Sequence, residues 1–190
     1  MIDELRPGEI GVTLSWPEVL IAAHGGIMRN VNALKQSLER RDGQSAEATW
    51  SNHIEGAAGE LAVAKYLNAY WEPTIGRYNA DDVGPYQVRT NATRRNDTMV
   101  IRPRDKEDRI WISVLSFLPE FVICGWLPGN EMKRPEWLRG SSPGRPQFYA
   151  VPRDALRPMA ELCDRAPLVP TNSRNGVEAV GEYVRGLDHP

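Results

Sequence analysis

The sequence predicts a single α+β domain, residues 1–190, in which N-terminal helices pack on a mixed, mostly antiparallel sheet of four to five strands. Two observations carry this prediction. Apolar residues recur every three or four positions within residues 15–70, which is typical of helices, and short apolar or alternating runs within residues 71–127 are typical of strands. Residues 128–190 begin with a stretch rich in Gly, Pro and Arg, which predicts an irregular C-terminal extension.

The first predicted helix follows Ser15, which is an N-cap residue type, with Pro17 in the first turn and Glu18 at the capping-box position. Gly25 and Gly26 in its middle indicate a kink or a point of close packing. The face expected to contact the core consists of apolar residues at three- or four-residue spacing: Leu20, Ala23, Ile27, Val31, Leu34 and Leu38.

The second predicted helix runs through the segment WSNHIEGAAGELAVAKYLNAY. Its small residues at positions 56–59 would let it lie close against a sheet. Glu60, Ala64 and Leu67 share one face, so a carboxylate continues a stripe that is otherwise apolar. Because burial of a carboxylate is costly, we expect a positive charge to compensate Glu60.

The strands are predicted in four segments after Trp71 and one near the C-terminus. The four segments are YQVRTN, DTMVIRP, IWISVLSF and EFVICGWLP, and the last two are separated by a Leu-Pro turn. The segment FYAVPRDAL adds a short strand, and RDALRPMAEL adds a short helical turn.

The composition excludes several classes of protein. The hydrophobic fraction of 41% and the charged fraction of 25% are typical of a globular domain, and no run of 18 apolar residues predicts a membrane span. Cys124 and Cys163 are too few for a disulfide framework or a thiolate metal site. Gly-rich phosphate loops, a G-x-S-x-G elbow and a His-X-X-X-His pair are all missing from the sequence. The segment MIDELRPGEI is acidic and polar where a secretory signal is basic and then apolar, so a cytoplasmic location is expected.

Positive charge is concentrated in two stretches of the chain. Residues 1–88 carry seven basic and twelve acidic side chains, residues 89–109 carry seven and four, and residues 133–157 carry six and two. This distribution is compatible with a surface that follows a polyanion, and equally with solvated loops between strands.

A candidate site combines Glu60 with the segment DDVGPYQVRT, residues 81–90. The carboxylates of Glu60 and Asp82, the amide oxygen of Gln87 and the backbone carbonyl of Val88 would form an all-oxygen set that suits Mg²⁺ or Mn²⁺. Asp81 could take the place of Asp82.

Arg89 is expected on the same strand face as Gln87, where it could neutralise a phosphate. The alternative is that Glu60 and Asp82 are a surface acid and a turn-capping acid, and that Arg89 is an ordinary surface charge.

The segments GAAGELAVAKYL and DDVGPYQVRT together resemble the PD-(D/E)XK nuclease superfamily in a divergent form. The resemblance covers about residues 50–127 and implies a restriction-endonuclease-like core that cleaves phosphodiester bonds with bound metal. The positions that match the family's acids and its (D/E/Q)-X-K tripeptide are Glu60, Asp82, Gln87 and Arg89. Gln87 stands where an acid is usual, and Arg89 replaces the lysine but cannot exchange a proton at neutral pH. The chain also resembles small proteins of phages and their bacterial hosts.

Nucleic acid, DNA in particular, is the expected partner. Arginines near the candidate site would contact the phosphate backbone, and aromatic side chains could stack on bases, Trp137 being the better exposed candidate and Trp126 more typical of a core. The arginines are Arg94, Arg95, Arg102, Arg104 and Arg109, and the aromatic residues are Trp126, Trp137 and Tyr149.

Other functional alternatives stay open. His53 could assist a nucleophilic water and Glu55 could be an accessory acid, although a surface position at the start of the helix is the simpler interpretation of His53. The whole protein could be an active nuclease, a binding or regulatory module that lost catalysis, or a structural protein in which these residues form a salt-bridged core edge. A homodimer also stays open.

Overall fold

The computed structural model describes residues 5–36, 46–77, 80–91, 98–140 and 146–165, with the backbone alone for residues 46–48 and 163–165. The predicted α+β class is confirmed. The helices are α1 (Trp16–Lys35), α2 (Ala46–Tyr66) and α3 (Met159–Arg165), with short 3₁₀ turns at Gly129–Glu131, Pro135–Trp137 and Arg153–Ala155.

The strands form two sheets. The mixed four-stranded sheet has the spatial order β1 (Ile10–Thr13), β5 (Glu120–Pro128), β4 (Ile110–Phe117) and β2 (Tyr86–Asn91). The three-stranded antiparallel sheet has the order β3 (Thr98–Ile101), β7 (Phe148–Pro152) and β6 (Leu138–Arg139). In the first sheet β2 runs parallel to β4, and the other neighbours are antiparallel. The predicted strand DTMVIRP therefore leaves the first sheet and pairs with the C-terminal strand of FYAVPRDAL. Strand β1 was not among the predicted strands.

The start of α1 is the predicted capping box. The backbone N–H of Glu18 donates to Ser15 Oγ at 3.4 Å, and the backbone N–H of Ser15 donates to Glu18 Oε2 at 2.6 Å. Both orphan donors at the helix N-terminus are thereby satisfied.

The prediction of which face of α1 contacts the core is wrong for its large side chains; Ala23 and Val31 are half-buried, and Leu38 lies outside the described residues. Leu20 and Leu34 are more than half exposed, and the buried positions are small or polar residues instead: Ala22, Gly25, Gly26 and Asn30. The reason is a close approach to α2, because a Cβ atom at Gly26 would lie 2.5 Å from the backbone oxygen of His53. Gly25 and Gly26 are thus the close packing point that was one of two predictions for them.

Helix α2 lies between α1 and the first sheet, as its small residues predicted. A side chain at Gly59 would collide with the hydroxyl of Thr90 on β2. Val88, from the same face of β2 as Thr90, joins Ala57 and Ala58 of α2 in the main core. A second core lies between the two sheets and includes Met99, Ile101, Trp111, Leu127, Met132, Trp137 and Val151.

Candidate functional site

Glu60 lies on the inward face of α2, where it is 5% exposed. Ala64 and Leu67 on the same face are also buried, which confirms the predicted stripe. The expected positive charge is present, and it is the guanidinium of Arg29 on α1. Arg29 Nη1 donates to Glu60 Oε1 and Arg29 Nη2 donates to Glu60 Oε2, both at 2.6 Å. Trp71 Nε1 donates to Glu60 Oε2 at 3.2 Å.

Arg29 was not among the residues singled out from the sequence. It shares the inward face of α1 with Gly25, Gly26 and Asn30, and its Nη2 also donates to Thr74 Oγ1 at 3.2 Å. Burial alone would lower the pKa of Arg29, but the hydrogen bonds to Glu60 and the charges of Glu60 and Asp82 outweigh burial, so this pKa is raised. Arg29 is therefore a permanent internal cation.

Asp82 lies in the tight turn before β2, where Gly84 takes a positive φ of 55°. Its Oδ2 accepts a hydrogen bond of 2.8 Å from the backbone N–H of Val88. Burial and the nearby charge of Glu60 raise the pKa of Asp82 to about 7, against the opposing effects of the Val88 N–H, Arg29 and Arg89. Glu60 and Asp82 therefore share one electrostatic environment, as the candidate site required.

The side chain of Gln87 points away from Glu60 and Asp82. Residues alternate between the two faces of a strand, and Tyr86 and Val88 face the core shared with α2. Gln87 is on the other face, where its Nε2 donates to Asp81 Oδ1 at 2.7 Å. Arg109 Nε donates to the same Asp81 oxygen at 2.9 Å. Asp81 and Asp82 thus have different hydrogen-bond partners, Asp81 on the outer face of β2 and Asp82 at the Val88 backbone.

Arg89 shares the outer face of β2 with Gln87, as the alternation predicted. Its Nη2 donates to Asp105 Oδ2 at 2.6 Å, and its guanidinium stacks on the Trp111 ring at 4.7 Å from the ring centre. Asp105 also accepts a hydrogen bond from the backbone N–H of Arg102 at 2.9 Å. These contacts hold Arg89 against the loop after β3.

His53 and Glu55, the two candidate accessory residues, are both half-buried. Burial and the charge of Arg29 lower the pKa of His53, so its imidazole is neutral at neutral pH. Burial raises the pKa of Glu55, and a hydrogen bond with Ser116 opposes that rise. His53 is thus close enough to Arg29 to feel its charge, whereas Glu55 contacts β4.

Of the four oxygen donors proposed for Mg²⁺ or Mn²⁺, the carboxylates of Glu60 and Asp82 are close enough for the charge of Glu60 to raise the pKa of Asp82. The Gln87 amide lies on the other face of β2 and donates to Asp81. Within the described ranges no group of three or more His, Cys, Asp or Glu side chains is placed to hold a metal ion. Both oxygens of Glu60 accept from the Arg29 guanidinium, so a metal ion could bind Glu60 only if Arg29 moved.

The predicted nucleic-acid contacts have mixed outcomes. Arg94 and Arg95 lie outside the described residues. Arg102 is half-buried and Arg104 is exposed, both in the loop after β3. Trp137 was expected to be exposed, but it is 8% exposed because it packs in the second core under the guanidinium of Arg134.

The other two aromatic candidates also contact the protein core. Trp126 is buried, as its apolar surroundings indicated, and its Nε1 donates to the backbone oxygen of Pro158 at 3.0 Å. Tyr149 is half-buried and packs against the second core.

Comparison of the chain with protein-family models, with curated proteins and with solved structures finds no match. A helix of sufficient length and apolarity to span a membrane does not occur in the part of the chain that the structure describes.

Proposed function

We propose that this protein is a cytoplasmic, non-catalytic module that binds nucleic acid, DNA in the first instance, through contacts to the phosphate backbone. The observation that carries the proposal is that the two basic stretches of the sequence meet in space. Lys133 Nζ donates to the backbone oxygen of Pro103 at 2.8 Å and forms an ion pair with Glu107 at 2.9 Å. Strand β3, in the first stretch, also pairs with β7, in the second, with Ile101 opposite Tyr149.

Three arginines of these two stretches, Arg104, Arg134 and Arg139, have exposed side chains, and we call them the basic face. Arg134 stacks on the Trp137 ring at 4.6 Å from its centre, and its Nε donates to the backbone oxygen of Glu131 at 3.1 Å. Arg139 Nη1 donates to the backbone oxygen of Glu136 at 2.7 Å. Carbonyl oxygens and an aromatic ring orient the guanidiniums of Arg134 and Arg139 without cancelling their charge, which suits contact with phosphate.

The Arg29–Glu60 pair supports binding without metal-dependent cleavage. Arg29 supplies inside the protein the positive charge that a metal ion would supply to Glu60, and it does so with ideal bidentate geometry. Gln87 and Arg89 stabilise the outer face of β2 through Asp81 and Asp105.

The test is fluorescence anisotropy with a labelled DNA duplex in EDTA at several NaCl concentrations. We expect binding that weakens as salt rises, because each neutralised phosphate contributes about 0.9 to the slope of log K against log [salt]. The variant with Arg104, Arg134 and Arg139 all changed to Ala should reduce that slope by about 2 to 3. Arg77→Ala is the matched control, since Arg77 is an exposed arginine that pairs with Glu72 away from the basic face. A slope that is equal in the triple variant and the wild type would contradict the proposal.

A second candidate function is the metal-dependent nuclease, and the electrostatic coupling of Glu60 and Asp82 favours it. This function would require Arg29 to release Glu60. Incubation of the wild type and Asp82→Ala with single- and double-stranded DNA and RNA, in Mg²⁺, Mn²⁺ or EDTA, separates the two candidates. Cleavage that needs metal and is lost in Asp82→Ala would replace the binding-module proposal.

A further inference from the structure

Helix α1 presents a large apolar surface to solvent. Six large apolar side chains of this helix are between 36% and 70% exposed, and we call them the outer face of α1: Trp16, Leu20, Ile21, Ile27, Met28 and Leu34. These side chains lie on the side of α1 opposite Gly25 and Gly26, because α1 contacts α2 through small residues.

The exposed apolar area of the outer face is larger than that of the single apolar residues scattered over a typical protein surface. The exposed fractions correspond to about 600 Å² of apolar area, at the upper end of the largest patch on an ordinary monomer. A stable interface buries about 800 Å² on each partner, so this helix with a few neighbouring residues would suffice for one.

The middle of the outer face also lacks free charge. Between Trp16 and Met28 the only charged residue is Glu18, whose carboxylate forms an ion pair with Lys65 at 2.8 Å. Arg29, the next charged residue, turns inward to Glu60. Depletion of charge at the centre of an apolar patch is typical of the buried core of a protein interface.

We propose that the outer face of α1 binds the same face of a second copy of this chain, with the two helices antiparallel about a two-fold axis. A two-fold interface must be complementary to itself, so a residue n positions before the axis meets the residue n positions after it. The centre of the outer face has this symmetry about His24, which is itself exposed, whereas Trp16 and Leu34 at its ends have no such counterparts. Leu20 lies four positions before His24 and Met28 four after, and Ile21 and Ile27 lie three positions on either side.

The oligomeric state is tested by sedimentation equilibrium of the full chain over a range of concentrations. We expect a dimer whose dissociation constant rises at least about tenfold in Leu20→Arg, because the substitution places a charge in the apolar contact. Tyr70→Arg is the matched control, since Tyr70 is also an exposed large side chain but lies outside α1. Circular dichroism of Leu20→Arg should match the wild type, because the Leu20 side chain is 58% exposed.

The antiparallel arrangement is tested by disulfide cross-linking in a background with Cys124→Ala and Cys163→Ala. His24→Cys should form a covalent dimer under mild oxidation, because each copy meets its own equivalent at the axis. Leu20→Cys mixed with Met28→Cys should also cross-link, whereas Leu20→Cys by itself should cross-link poorly.

Three results would overturn the proposal. The first is a wild type that stays monomeric at every concentration. The second is a dimer that Leu20→Arg weakens no more than Tyr70→Arg does. The third is a monomer whose melting temperature falls in Leu20→Arg, which would show that the chain's own residues cover this face. Failure of His24→Cys to cross-link in a dimer that Leu20→Arg dissociates would overturn the antiparallel arrangement.

Discussion

Replacement of Arg29 by Met leaves the buried carboxylate of Glu60 without its cation, and we expect the free energy of unfolding to fall by about 3–5 kcal/mol. The structure supports this magnitude. Two charge-assisted hydrogen bonds of 2.6 Å are lost, each worth about 1.5–3 kcal/mol. Among the described residues Trp71 remains as a neutral donor to Glu60, which is too little to compensate a buried charge.

A second substitution should restore part of this loss. In Arg29→Met combined with Glu60→Gln the buried charge is gone, and the Gln oxygen can still accept from Trp71 Nε1. We therefore expect the double variant to be more stable than Arg29→Met alone, with a coupling energy of about 2–3 kcal/mol.

Urea denaturation at pH 7 measures these differences as shifts of the midpoint at constant m-value. The control is Arg77→Met, which breaks the exposed pair with Glu72 and should cost less than about 1 kcal/mol. If Arg29→Met costs no more than Arg77→Met, or if the double variant is as unstable as the sum of the single variants, Arg29 is not the cation on which Glu60 depends.

Two further predictions concern protonation and close packing. The pKa of Asp82 in the folded protein is about 7, above its ordinary value of 3.8. The folded state therefore binds the Asp82 proton more tightly than the unfolded state does. As a result, the stability that protonated Asp82 contributes falls as pH rises from about 4 to about 7. Asp82→Asn keeps an acceptor for the Val88 N–H but cannot ionise. Relative to the wild type, its free energy of unfolding should therefore rise across that pH range, by up to about 4 kcal/mol, as measured by urea titrations at several pH values. Parallel pH profiles of the two proteins would refute the raised pKa of Asp82. Gly26→Ala should destabilise the protein by about 1–3 kcal/mol, because the new Cβ would lie 2.5 Å from the oxygen of His53. Gly56→Ala, at a helical glycine with no atom within 4 Å of the new Cβ, should stabilise by up to about 1 kcal/mol, and equal melting temperatures for the two variants would contradict the packing described.

The sequence pattern did not predict which face of α1 is buried. Large apolar side chains at helical spacing usually mark the buried face, and Leu20, Ile27 and Leu34 have that spacing. Whether the large or the small side is buried depends on how closely the partner helix approaches, and that distance is a property of two helices together. The glycine pair was the available signal for the correct face, because only glycine permits backbone-to-backbone contact at Gly26.

Because the wrong face of α1 was expected to be buried, Arg29 was not recognised as the cation that pairs with Glu60. If Leu20 and Ile27 faced the core, Arg29 would point to solvent, so a metal ion became the natural candidate for compensating Glu60. The demand for a positive charge was deduced correctly from the burial of Glu60 alone. The identity of the cation required the contact of two segments that are 31 residues apart.

The alternating pattern of β2 likewise predicted which side chains share a face but not which face is buried. Alternation correctly placed Gln87 and Arg89 on one face, because side-chain direction has a period of two along any strand. It could not say which face meets α2. Val88 and Thr90 meet it, because the missing side chain of Gly59 makes room for Thr90.

The turn before β2 also bears on how the protein avoids aggregation. β2 is an edge strand of the first sheet, and an edge strand offers unpaired N–H groups to which a strand of another molecule can add. The carboxylate of Asp82 already accepts from one of these groups, the N–H of Val88. An incoming strand would have to displace the half-buried Asp82 carboxylate to pair at that position. Asp82 thus protects the edge of the sheet against intermolecular strand addition.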